Sequence, residues 1–185
     1  VLCQGKIVVA RAGQGEKMRT LDGTDRTLDG DMLLINDGEG PVAIAGVMGG
    51  LNSEISLSTK RVLIESAYFE PASVRRTSRK LGLSTEASYR FERGADWENT
   101  IPAIARTCYL IEQLADGRIA GSLQDVYPKK KEPVRILLYK DHVTSLIGVQ
   151  LMETFIESTL QRLGFTLEKH GDHAWEVTCP TCRAD

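Results

Sequence analysis

Short apolar stretches separated by turn residues occupy the first 45 positions of the chain. Asp22-Gly23, between two of these stretches, is a strong hairpin signal, and Gly13 to Glu16 is typical of another turn. We therefore predict that the chain begins with β structure. The predicted strands are Lys6–Ala10, Met18–Leu21, Arg26–Leu28, Met32–Ile35 and Val42–Ala45.

A second apolar run, RVLIESAYF, contains one acid, Glu65. We predict that residues 61–69 form a strand, in which alternation places Glu65 on the same face as Leu63 and Ala67. A carboxylate in an apolar strand is costly to bury unless it has a partner. Glu65 therefore belongs to a pocket, to a solvated outer face, or to a salt bridge with one of the arginines at positions 75, 76, 79, 90 and 93.

Three glycines, Gly46, Gly49 and Gly50, follow the predicted strand in GPVAIAGVMGG. Glycine inside a strand pattern usually marks a bulge or a tight turn. Glycine also lets the backbone approach a ligand closely and leaves N–H groups free to bind it. The spacing alone leaves both interpretations open.

A short basic helix is predicted at Pro71–Lys80, because proline stands in its first turn and Gly82 lies just past its end. Arg76, Arg79 and Lys80 are three and four residues apart and share one face of this helix. Such a face can contact RNA phosphates, or it can simply be solvated.

A longer helix is predicted at Asp96–Ala115, where apolar residues recur at helical spacing and Gly117 ends the pattern. Cys108 lies on the apolar stripe, and we expect it to be a buried small hydrophobe. This helix should pack behind the glycine-rich region.

The proline-flanked basic run YPKKKEPV, residues 127–134, is the best domain boundary in the sequence. We predict a domain at 1–127, a linker at 128–133 and a domain at 134–185. The fold class is α+β, with a mixed, β-sandwich-like first domain flanked by helices. The second domain has a β-α-α-β-β order that resembles a winged-helix-like module, with elements at Arg135–Tyr139, Asp141–Ile147, Met152–Leu163, Phe165–Lys169 and Ala174–Cys179.

Composition sets only broad limits on the class of protein and on its partners. The 185 residues are 42% hydrophobic and carry a net charge of −2, so any RNA contact must come from a local basic patch. No apolar run approaches the roughly 20 residues of a membrane helix, and four cysteines are too few for a disulfide scaffold. We infer a cytoplasmic protein without a membrane partner. The chain begins without Met and soon enters a strand, which suggests a piece of a longer chain.

Four potential zinc ligands lie near the end of the chain: His170, His173, Cys179 and Cys182. We do not favour a zinc site, because the histidines flank a predicted hairpin turn and are not on a helix or knuckle. Nucleophilic catalysis also lacks support, since all three histidines lie in the second domain and no GxSxG occurs.

The run from GPVAIAGVMGG through RVLIESAYFEPASVRRTSRKLGLSTEASYRFERGAD closely resembles the editing module of the bacterial phenylalanyl-tRNA synthetase beta chain. The shared signatures, in order, are AGxMGG, LxE(S/C)AxF and RxxRxxGLxTxAS(Y/H)RxERGxD. The resemblance continues through RLGF and CPTCRAD into the family's next, winged-helix-like module, and so covers nearly the whole chain.

This resemblance implies an editing pocket that hydrolyses tyrosine wrongly esterified to phenylalanine tRNA. Glu65 matches the acid that recognises the tyrosine hydroxyl, and Gly46 and Gly49 match the glycine turn of the pocket. Thr85 and Ala87 match residues at its mouth. The family's editing histidine precedes the point where this chain begins, so we expect the chain alone to be inactive or weakly active.

The resemblance also implies cofactors and partners. Asp185 matches the first of four acids that hold magnesium in the family. ATP and Mg²⁺ belong to the complete enzyme, and we expect neither to bind this chain. The implied partners are phenylalanine tRNA, tyrosine as editing ligand, and the synthetase alpha chain in an assembly of two alpha and two beta chains.

Two functions follow from these observations. The first is an editing domain that binds the tRNA and hydrolyses tyrosyl ester. The alternative is a non-catalytic module that binds tRNA and acts as a scaffold within the synthetase.

Overall fold

The computed structural model describes residues 5–183, which form two compact units, one up to Thr107 and one from Cys108 onward. In the first unit an antiparallel sheet has the strand order β1-β4-β5-β6, and β2 pairs with β3 as a separate hairpin. These strands are β1 (Val8–Arg11), β2 (Lys17–Arg19), β3 (Asp25–Thr27), β4 (Leu33–Asn36), β5 (Pro41–Ile44) and β6 (Met48–Gly49).

Three helices follow these strands: α1 (Pro71–Leu81), α2 (Glu86–Phe91) and α3 (Thr100–Ala115). The helix predicted from Pro71 is confirmed, and it ends where Gly82 adopts a left-handed conformation with φ of 63°. The Asp22-Gly23 hairpin is also confirmed, because β2 and β3 pair across it.

The core of the first unit joins the sheet to α1. Leu34 and Ile44 on neighbouring strands are almost fully buried, as is Val47 in the turn between β5 and β6. Phe69 and Val74, which precede and belong to α1, pack into the same cluster. The glycine turn is therefore part of this core, at the end of the sheet that faces α1.

The strand predicted at residues 61–69 is not formed. Residues 61–70 have no regular secondary structure, and Leu63 is 65% exposed. A strand requires a partner that completes the hydrogen-bond ladder, and no described strand pairs with this segment. The expected alternation of Glu65, Leu63 and Ala67 therefore does not describe this region.

Three further differences concern the helices and β6. Two elements, α2 and β6, are not predicted by the sequence pattern. The long helix begins at Thr100 and not at Asp96, because the Asp96 carboxylate accepts a hydrogen bond from the Glu98 amide (3.1 Å) and holds this stretch in a turn. Cys108 is only half-buried, and no residue of α3 is fully buried, so its apolar stripe is not a core stripe.

The second unit contains β7 (Arg135–Tyr139), α4 (Lys140–Ile147), α5 (Glu153–Arg162), β8 (Thr166–His170) and β9 (Ala174–Thr178). Its sheet has the order β7-β9-β8 with antiparallel pairing, and Trp175 on β9 is the most deeply buried large side chain. The predicted β-α-α-β-β order is present. The domain limits at 127 and 134 stay a prediction.

The two units together establish an α+β fold class with several antiparallel sheets. Among residues 5–183, no helix is both long and apolar enough to span a membrane.

Candidate functional site

Gly46 occupies a position that only glycine fits well. Its φ is +69°, and a Cβ added there would lie 2.9 Å from the Phe69 ring and 3.0 Å from the Val74 side chain. Gly49 on β6 faces the Leu21 side chain, which would lie 3.0 Å from an added Cβ. Close packing around the turn is therefore sufficient to require glycine at both positions. The same packing leaves the backbone of the turn able to contact a ligand.

Thr85 ties α2 to this glycine turn. Its Oγ1 donates a hydrogen bond to the Val47 carbonyl (2.7 Å) and accepts one from the Ser88 amide (3.0 Å), while Ser88 Oγ accepts from the Thr85 amide (2.9 Å). This reciprocal arrangement is a capping box. Ala87 is exposed in the first turn of α2. The Thr85 bond to Val47 thus ties the start of α2 to the residue that follows Gly46.

Side-chain contacts hold the segment around Glu65 in place of a strand ladder. Ser66 Oγ donates to the Thr100 carbonyl at the start of α3 (2.7 Å). Tyr68 meets the Trp97 ring edge to face, with centroids 6.0 Å apart, and Phe69 meets Phe91 of α2 in the same way at 5.0 Å. Since Phe69 also packs against Gly46, the segment that carries Glu65 is anchored to the glycine turn.

The Glu65 carboxyl is crowded by protein without being enclosed. Burial raises its pKa above the ordinary glutamate range, yet the residue as a whole is exposed. The carboxyl is therefore packed against protein on one side while the side chain still reaches solvent. Within residues 5–183, Glu65 has no hydrogen-bond or ion-pair partner. The alternative of a salt bridge between Glu65 and an arginine is therefore not found among these residues.

The basic face predicted for α1 contains two groups of side chains, those that are paired with carboxylates and those that have no partner among the described residues. The Lys80 ammonium bonds the carboxylates of Asp29 (2.6 Å) and Asp31 (3.1 Å), and these contacts raise the pKa of Lys80. Arg76 and Arg79 are exposed and have no partner among the described residues. These two arginines are available to an anion, whereas Lys80 would have to exchange its carboxylates for phosphate.

Two features of this region are not among the predictions made from the sequence. The Ser66 bond to Thr100 links positions 34 residues apart and could not be read from local pattern. The helix α2 has only six residues, but Thr85 and Ser88, three positions apart, form a capping pair that could have indicated its start.

The magnesium prediction cannot be placed, because Asp185 lies outside the described residues. Within residues 5–183, no three His, Cys, Asp or Glu side chains converge as metal ligands would. The described residues therefore do not supply a magnesium site, and no chemical step is assigned to that ion here.

Comparison with known proteins covers nearly the whole chain. Residues 2–116 match the family model of the B3/4 domain, and residues 136–185 match the tRNA synthetase B5 domain. The phenylalanine–tRNA ligase beta subunit of Moorella thermoacetica is 48% identical over 97% of this chain, and that of Geobacter metallireducens is 44% identical over 100%. The chain spans 22% and 23% of the length of these two relatives.

Proposed function

Since the chain belongs to the B3/4 domain family and continues into a B5 domain, we propose that it is part of a phenylalanine–tRNA ligase beta subunit and edits tyrosyl-tRNA. The substrate is the ester that joins tyrosine to phenylalanine tRNA, and the reaction is its hydrolysis. The observation that carries the proposal is Glu65, an accessible acceptor whose carboxyl is crowded by protein and has no partner among the described residues.

The physical need for such a site follows from the similarity of the two amino acids. A hydrophobic pocket rejects an isostere that adds only a hydroxyl by about 10²-fold. A second site that hydrogen-bonds the hydroxyl can discriminate against a substrate that lacks it by about 10⁴-fold or more. A tyrosine phenol would donate to Glu65, and phenylalanine would leave the crowded carboxylate unpaired.

Hydrolysis requires a positioned water and donors for the developing oxyanion. We assign these donors to the backbone around Gly46 and Gly49, which the Thr85 and Phe69 contacts hold rigidly. The Val47 amide is not among them, because it already donates to the Ile44 carbonyl (3.0 Å). Thr85 and Ala87 form the mouth of the proposed pocket.

A structure with bound tyrosine tests this function. The phenol oxygen is expected within about 2.5 to 3.0 Å of a Glu65 carboxylate oxygen, and phenylalanine should leave that position to water. A cleft that stays empty at saturating tyrosine would favour the alternative, in which the chain is a non-catalytic tRNA-binding scaffold.

Arg76 and Arg79 support tRNA binding under either function. We propose that they contact phosphate, together with Lys80 once its carboxylate partners are displaced. Replacing Arg76 and Arg79 with alanine in the complete ligase should weaken tRNA binding and flatten its salt dependence. The log–log slope should fall by about 0.7 to 0.9 per lost contact. Binding constants measured across a salt series provide the test.

Lys80→Ala is the matched control for this prediction. Because Lys80 is already paired with Asp29 and Asp31, its loss should change the slope less than the loss of either arginine. A slope unchanged in the Arg76 and Arg79 double variant would assign those charges to a solvated face.

The complete ligase supplies the remaining chemistry in this proposal. ATP and magnesium serve aminoacylation, and the partner is an alpha chain in an assembly of two alpha and two beta chains.

A further inference from the structure

We infer that Tyr89 and Arg93 form a stacking platform for unpaired nucleotides of an RNA strand. The inference rests on the proposed function, because it adds to the editing site a surface that receives the end of its RNA substrate. Neither residue is needed for the glycine turn, for the capping box or for contact with Glu65.

Tyr89 is a large aromatic residue that remains 55% exposed on a helix whose only buried residue is Ser88. The guanidinium carbon of Arg93 lies 3.6 Å from the centroid of the Tyr89 ring, which is stacking distance. Arg93 Nη1 also donates to the Tyr89 carbonyl (2.8 Å) and to a Glu92 carboxylate oxygen (2.8 Å). These bonds fix the guanidinium on the ring before any ligand arrives.

This arrangement suits unpaired bases. Single-stranded RNA is recognised chiefly by stacking its splayed bases on aromatic rings and guanidinium planes. A platform that is already ordered loses little side-chain entropy on binding. The Glu92 carboxylate offsets the charge of Arg93, so this platform should hold a base mainly by stacking and not by attraction to phosphate.

The position of the platform fits a strand that enters the proposed pocket. Tyr89 lies on the same six-residue helix as Ala87, and Thr85 caps that helix, so all three belong to one rigid piece. Arg75 of α1 donates to the Glu92 carbonyl (2.9 Å) and so joins the basic helix to the end of α2. Arg76 and Arg79, which lie on the same basic helix as Arg75 and have no partner among the described residues, are assigned to the backbone of a strand whose base stacks on Tyr89.

The test titrates the complete ligase with a short unpaired RNA strand that contains 2-aminopurine, whose fluorescence is quenched by stacking. Tyr89→Leu is expected to weaken binding by about 5- to 150-fold for one stacked base and to remove the matching part of the quenching. Tyr89→Phe keeps the ring and should bind as the unchanged ligase does. The same strand in a blunt duplex should show no dependence on Tyr89.

The salt dependence of RNA binding distinguishes stacking on Tyr89 from attraction between arginine and phosphate. The loss in Tyr89→Leu should be the same at low and high salt, whereas the loss in Arg76→Ala should shrink as salt rises. The melting temperature of each variant shows whether it is folded. The inference is overturned if folded Tyr89→Leu binds and quenches the strand as the unchanged ligase does, or if Tyr89→Phe loses as much as Tyr89→Leu.

The stacking platform and the editing function can be refuted independently of each other. If Tyr89 has no effect while Glu65 still controls the preference for tyrosyl ester, the platform is wrong and the editing function stands. If Tyr89 affects the strand but Glu65 has no effect on that preference, the platform is an RNA contact on a module that does not edit tyrosine.

Discussion

Replacing Gly46 with alanine is expected to lower the free energy of unfolding by about 2 to 5 kcal/mol. A residue with a Cβ in the left-handed conformation costs about 1 to 2 kcal/mol. The added Cβ would also lie 2.9 Å from the Phe69 ring and 3.0 Å from Val74, and overpacking of this kind costs about 1 to 3 kcal/mol. Urea unfolding of the unchanged and substituted chains provides the measurement.

Gly82→Ala is the matched control for this substitution. Gly82 also has a positive φ, of 63°, but a Cβ added there would meet nothing within 4 Å. Its loss should therefore cost only about 1 to 2 kcal/mol, from backbone strain. Equal losses at Gly46 and Gly82 would show that packing against Phe69 contributes nothing.

The Gly46 substitution also tests the link between the turn and the cleft. Displacement of Phe69 should shift the segment that carries Glu65, because the two residues are four positions apart on a segment without strand pairing. Gly46→Ala is therefore expected to impair tyrosine selectivity as well as stability, whereas Gly82→Ala should affect stability alone.

Helix and hairpin signals were reliable where they were local. Pro71 and Gly82 act within one turn of the chain, through a fixed φ at the start of α1 and a left-handed residue at its end. The turn at Asp22-Gly23 likewise depends on neighbours only. These elements could therefore be predicted from the sequence without knowledge of the rest of the fold.

The segment around Glu65 could not be predicted in this way. Its apolar, β-branched residues favour an extended chain, but a strand also needs a partner, which a local pattern cannot reveal. Contacts from Ser66, Tyr68 and Phe69 to distant residues position it instead. The role proposed for Glu65 likewise rests on the family resemblance, because its spacing alone leaves a solvated face and a salt bridge open.

The central prediction concerns Glu65→Ala in the complete ligase. If the carboxylate accepts the tyrosine hydroxyl, its loss removes a charge-assisted hydrogen bond worth about 1.5 to 3 kcal/mol. Selectivity for tyrosyl over phenylalanyl ester should then fall by about 10- to 150-fold. Phenylalanyl ester, which has no hydroxyl, should become a relatively better substrate for hydrolysis.

The pH dependence of tyrosine selectivity is a second test of the role proposed for the Glu65 carboxylate. Burial raises the pKa of Glu65, so it should be protonated at a higher pH than an ordinary glutamate, and a protonated carboxyl is a weaker acceptor. Tyrosine selectivity should therefore decline as pH falls from neutral towards the raised pKa. Glu65→Gln, which does not titrate, should abolish this decline.

The free energy of unfolding should respond to pH in the opposite sense to tyrosine selectivity. Because the folded protein binds the Glu65 proton more tightly than the unfolded chain, ionised Glu65 costs folding free energy above its folded-state pKa. This cost is absent below the unfolded pKa of about 4.3. Glu65→Ala should therefore not lower the melting temperature at pH 7, which makes it a usable variant.

The ratio of tyrosyl to phenylalanyl deacylation on phenylalanine tRNA, measured for the complete ligase and its Glu65→Ala variant, tests the account most directly. A fall of about 10- to 150-fold in that ratio, with an unchanged or higher melting temperature, is the expected result. An unchanged ratio together with a lower melting temperature would contradict it, because Glu65 would then stabilise the fold without recognising tyrosine.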